Sequence, residues 1–117
     1  MKNNIIQVKS YEFSLKIIGF LRYYFHDIPR PIQDQLLRSG TSIGANIEEA
    51  LAGYSRADFI NKMSIALKES RETFYWLRLV RDSRLVSAEK LNALIHDSEE
   101  ILKILISIVK SSRSNNS

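Results

Sequence analysis

A chain of 117 residues and 13.5 kDa has the size of one domain, 1–117, with no room for a second globular core. Its 44% hydrophobic and 26% charged content is that of a folded soluble protein, and the absence of cysteine removes disulfides, thiolate metal sites and cysteine nucleophiles. Seventeen Lys and Arg against thirteen Asp and Glu leave a net charge of +4, a mild bias toward anionic partners, with both signs mixed along the chain.

The opening residues, Met1 to Lys9, lack the apolar run of a signal peptide, and no stretch approaches the ~20 apolar residues of a membrane span. A cytoplasmic protein without membrane contact is expected. Two prolines and four glycines punctuate the chain, and an all-α reading follows. The first helix is predicted from about Ser10 to Asp27, with Phe13, Ile17, Phe20, Leu21, Tyr24 and Ile28 on one face and Lys9 and Lys16 on a solvated stripe. Pro29-Arg30-Pro31 stops it. The second helix, about Ile32 to Ala52, presents Leu36, Gly40, Ile43, Ile47 and Leu51. Its two internal glycines cost about 1 kcal/mol each, yet the apolar period runs through them unbroken, so they are read as points where a neighbouring backbone comes close. Gly53 is expected to end this helix in the left-handed conformation.

Ser55 is placed as the cap of a third helix reaching about Asp82. Phe59, Met63, Leu67, Phe74 and Leu77 form its predicted core stripe, with Ala66 and Ser70 in the tight places. A second apolar set, Ile65, Trp76, Leu79 and Val80, projects to roughly the opposite side. Ser87 caps the fourth helix, whose stripe is Leu91, Leu94, Ile95, Leu102, Leu105 and Val109; the polar tail from Ser111 to Ser117 is expected to fray. Four amphipathic helices joined by short turns bury their stripes most simply as an antiparallel up-and-down four-helix bundle. The second stripe of the third helix then needs a partner outside the subunit. Homo-oligomerisation through Ile65, Trp76, Leu79 and Val80 is therefore expected, because Trp is enriched at interfaces.

Catalytic signatures are missing. Neither histidine lies in the Glu-x-x-His pattern of bundle di-metal sites, and His96 beside Glu99 and Glu100 reads as a solvated cluster, so no metal and no cofactor are expected. There is no Gly-x-Ser-x-Gly elbow and no P-loop. Glu48 and Glu49 diverge by about 100° on a helix and do not converge on a substrate; a solvent-facing charge and a partner for Arg56 or Arg38 are the roles expected of them. No enzyme is expected. Arg71 and Arg78, seven residues apart on the third helix, form a candidate phosphate-binding flank, with Tyr75 placed to stack a base.

The stretch Leu37-Arg38-Ser39-Gly40-Thr41-Ser42-Ile43-Gly44-Ala45-Asn46-Ile47-Glu48-Glu49-Ala50, with Ser55-Arg56-Ala57-Asp58-Phe59 and Ile65-Ala66-Leu67-Lys68-Glu69-Ser70-Arg71-Glu72-Thr73 after it, resembles the four-helix-bundle family of 23S rRNA intervening-sequence proteins. The resemblance implies a bundle that assembles as a ring, commonly a pentamer. It also implies a link to reading frames inserted in large-subunit ribosomal RNA genes, a distant kinship with basic nucleic-acid-binding accessory proteins of retroelements, and no catalytic residue. Its polar motif positions are Arg38, Ser42, Asn46, Glu49 and Arg56. They read either as ties between the second helix and the start of the third or, less favoured, as a contact surface. The leading expectation is a homo-oligomer that binds RNA or DNA weakly through Arg38, Arg56, Lys68, Arg71 and Arg78. The alternative is a scaffold or accessory subunit whose partner is another protein.

Overall fold

A computed structural model describes residues 4–115, which form four helices: α1 Asn4–Tyr23, α2 Arg30–Leu51, α3 Arg56–Asp82 and α4 Ala88–Asn115. At 1.5 Å per residue the longest of them spans about 42 Å, which accounts for most of the 46 Å long axis. Each helix packs on its chain neighbours and α1 closes onto α4, while the two diagonal pairs do not touch. This is the expected up-and-down bundle.

Every helix buries a stripe spaced alternately three and four residues apart. These are Ile6, Ser10, Phe13, Ile17 and Phe20 on α1; Gln33, Leu36, Gly40, Ile43, Ile47 and Ala50 on α2; Met63, Ala66, Ser70, Thr73, Leu77 and Val80 on α3; and Leu91, Leu94, Ser98, Ile101 and Leu105 on α4. An average period of 3.5 keeps such a stripe facing its neighbours when helices cross at about 20°. Small residues within the stripes let the helices approach. A Cβ on Gly44 would lie 3.4 Å from the Ser10 carbonyl oxygen, ordinary contact, so the α1 backbone comes near here without requiring the glycine.

Several boundaries differ from expectation. α1 begins six residues before Ser10, because Ser10 is an interior residue that donates to the Gln7 carbonyl at 3.0 Å rather than a cap. It ends at Tyr23, and the chain turns through residues 24–27 into Pro29, with Pro31 in the first turn of α2 where no amide donor is needed. Gln33 fixes that corner by donating to the carbonyls of Phe25 and Ile28, each at 2.6 Å. Gly53 is not left-handed. Its amide donates to the Ala50 carbonyl at 3.2 Å, and its missing side chain makes room for the Asp58 carboxylate. The left-handed residue is Arg84, with φ 58°, just past the end of α3. Ser55 does cap α3, accepting from the Asp58 amide at 3.0 Å. α4 runs on through most of the polar tail, where the Ser112 carbonyl accepts from Arg56 and Arg113 donates to Ser64 Oγ, both at 3.2 Å. Residues 116 and 117 lie outside the described residues.

Candidate functional site

The polar motif of α2 is built into the bundle. Arg38 Nη1 donates to both Glu69 carboxylate oxygens, at 3.0 and 2.8 Å, and Nη2 donates to Glu72. Glu72 also accepts from the Trp76 indole Nε1–H at 3.1 Å. Donation from Trp76, and next from Arg38, holds the Glu72 carboxyl below the ordinary glutamate value of 4.5, while both carboxylates, Glu72 foremost, strengthen the charge on Arg38. Ser42 donates to the Arg38 carbonyl at 2.6 Å and Asn46 to the Ser42 carbonyl at 2.9 Å, so both are tied within α2. Glu48 accepts from Gln7 of α1, at 3.0 and 2.9 Å, and not from Arg38 or Arg56. Glu49 faces solvent. Arg38 is thus a tie between α2 and α3, its charge met by two carboxylates, while exposed Arg56 ties α3 to α4 through one carbonyl and forms no ion pair among the described residues.

Three of the five basic candidates lie together on one helix face. Lys68, Arg71, Tyr75 and Arg78 are exposed at spacings of three and four, which sets them in one strip along the outer side of α3. None of the three cations forms an ion pair among the described residues. The two acids closest in sequence, Glu69 and Glu72, are turned toward Arg38 instead. Arg78 lies over the Phe74 ring, 4.8 Å from its centroid, and Tyr75 meets Trp76 edge-on at 5.2 Å. The strip combines unspent positive charge with an exposed aromatic ring, the pairing that binds a nucleic-acid backbone and stacks on its bases.

Two of the four residues of the expected oligomer face on α3 turn into their own subunit. Val80 has no exposed surface and ends the core stripe of α3, and Trp76 is partly buried against the core of its own subunit. Ile65 and Leu79 are half-buried. Ile65 and Leu79 keep part of their surface open on α3, while Trp76 and Val80 turn into the bundle. The surplus apolar surface lies instead on α1. Ile5, Val8, Tyr11, Leu15 and Ile18 are all exposed along one side of it, and Phe25 and Leu37 continue the patch beside α2. A groove of about 390 Å³ between Tyr11, Leu15 and Ile18 of α1 and Thr41, Gly44 and Ala45 of α2 lies within this face, and a second of about 210 Å³ extends it past Ile18 to Phe25 and Leu37. Reading α1 from Ser10 hid this stripe, although Ile5, Val8, Leu15 and Ile18 carried the signal in their spacing.

No group of three or more metal-ligating side chains occurs among the described residues, and no described helix is long and apolar enough to cross a membrane.

Compared with known proteins, residues 2–107 match the family described as 23S rRNA-intervening sequence protein. Among solved structures, the chain is similar to a protein of unknown function from the S23 ribosomal protein family of Bacteroides thetaiotaomicron. The two are 47% identical, with 94% of this chain and 99% of that one covered, at a TM-score of 0.87. No curated protein matches.

Proposed function

The chain belongs to the 23S rRNA-intervening sequence protein family, and on that premise we propose that it is a non-enzymatic, homo-oligomeric bundle that binds RNA through the outer strip of α3. The observation that carries this reading is the unpaired state of Lys68, Arg71 and Arg78 around Tyr75, while Arg38 absorbs the carboxylates beside them. A strip of this kind meets phosphates in register and needs no pocket. Assembly strengthens it, since a closed ring repeats both the strip and the net charge of +4 on every subunit. The apolar face of α1 and α2 is the surface on which copies meet.

The test is a titration of a labelled RNA hairpin with a single-stranded loop, at about 50 and about 200 mM salt. Binding at the lower salt that weakens steeply at the higher is expected. The triple variant Lys68→Gln, Arg71→Gln, Arg78→Gln should bind more weakly and flatten the dependence of log affinity on log salt by about 2 to 3. No binding at the lower salt, or a triple variant that matches the wild type, contradicts the reading. The same apolar face supports a second reading, in which a protein partner docks on α1 and the charge serves solubility; a monomeric wild type that co-purifies with protein and no nuclease-sensitive material would favour it.

A further inference from the structure

We infer that the seam between α1 and α4 is a binding site for a small planar aromatic molecule carrying one anionic group. The site is separate from the α3 strip and does not rest on the RNA reading. α1 and α4 form the loosest of the four helix seams. Between them lies an open cavity of about 360 Å³, lined by Phe20, Tyr23, Tyr24 and Leu94, with Lys16, Asp97 and Lys90 at its edge. That volume is within the range of small-molecule pockets.

Two further features point to an occupant. Gly19 lies inside α1, where glycine is a poor helix former, yet a Cβ there would meet nothing within 4 Å. No described neighbour requires the glycine, which is exposed and lines the cavity, so a larger side chain there would take up part of its open space. Lys90 sits in the first turn of α4, where the helix dipole disfavours a cation, and it pairs with no carboxylate among the described residues. Its ammonium lies 5.3 Å from the centroid of the Tyr23 ring. Lys16, by contrast, is held by Asp97 at 2.9 Å. The cavity therefore offers aromatic walls to a flat ring, and offers an anion beside it the Lys90 cation, which rests on Tyr23 without a carboxylate partner among the described residues. Nucleoside monophosphates and aromatic carboxylic acids share that chemistry.

Isotope-labelled full-length protein is titrated separately with AMP, indole-3-acetate and neutral indole-3-acetamide while amide signals are followed. At least one of the two anions should move the signals of Gly19, Tyr23 and Leu94, and which one does so tells a nucleotide from an aromatic acid. The neutral amide should bind about tenfold more weakly than indole-3-acetate where that acid binds, the scale of one charge-assisted hydrogen bond. Gly19→Leu fills the cavity and should weaken anion binding at least about tenfold, while Gly19→Ala, which spends little of the space, keeps it within a few-fold. Lys90→Gln should weaken binding of the anion by about the same factor of ten. Three results would overturn the site: neither anion moves those signals at millimolar concentration, Gly19→Leu binds as wild type does, or Gly19→Leu changes the solution mass, which would assign the cavity to a second copy of the chain.

Discussion

The Arg38 guanidinium reaches from α2 to two carboxylates of α3, and the deeper of them, Glu69, is 7% exposed. Replacing Arg38 with Ala leaves that carboxylate without its partner. Because the arginine itself is half in solvent, the loss should fall at the lower end for such pairs, about 1–2 kcal/mol in chemical denaturation. Arg38→Lys should recover only part of it, since an ammonium cannot reproduce the fork that spans Glu69 and Glu72. Glu72 adds a pH dependence of known sign. Its carboxyl is held below 4.5 by Trp76 and Arg38, so its contribution is present above the unfolded value and is lost as pH falls through the folded one. Melting temperatures of wild type and Glu72→Gln should therefore differ at pH 7 and converge as the pH drops below 4.5. A gap that widens in acid would contradict the assignment. Arg38 was visible in the chain as a polar motif member and Glu69 only as part of the stretch that carries the resemblance, and their tie across 31 positions was not legible, because periodicity relates neighbours on one helix and says nothing about which side chain of another helix stands opposite.

Within α2, the two glycines have different neighbours. A Cβ on Gly40 would press against Ile17 at 3.1 and 3.2 Å, and Ile17 is wholly buried with little room to yield. On Gly44 it would make ordinary contact with Ser10 at 3.4 Å and beyond. Gly44→Ala should accordingly stabilise the bundle by about 0.5–1 kcal/mol through helix propensity alone. Gly40→Val should cost about 1–3 kcal/mol by overpacking. Equilibrium denaturation of the two variants separates the cases, and equal effects would show that the α1–α2 approach is looser than described. Helix number and the Ser55 cap were legible in the residues, since each has a local cause, whereas α1 ends at Tyr23, before the prolines that were expected to stop it. The start of α1 was not, because Ser10 carries the chemistry of a cap and only the neighbouring helices reveal that it is interior. The α3 core stripe was blurred for a related reason: Ser70 and Thr73 occupy its middle and mask the spacing that joins Met63 and Ala66 to Leu77 and Val80.

For the molecule as a whole, the four-helix bundle takes Val80 and much of Trp76 into its own interior and leaves one side of α1 uncovered, so the surface proposed for assembly moves from Trp76 to Leu15 and Ile18. Covering a leucine or isoleucine is worth about 1.5–3 kcal/mol each, enough for a handful of such contacts per subunit to hold an assembly together. Placing a carboxylate in that face would oppose it by burying an unpaired charge. The direct measurement is solution mass by light scattering of the wild type beside Leu15→Glu/Ile18→Glu and Tyr75→Ser, the last an exposed change on the opposite helix. We predict a wild type and a Tyr75→Ser variant of equal mass, several times 13.5 kDa, and a folded double-glutamate variant at the monomer value. A wild type running at 13.5 kDa, or a double-glutamate variant that keeps the full mass, would contradict assembly through α1.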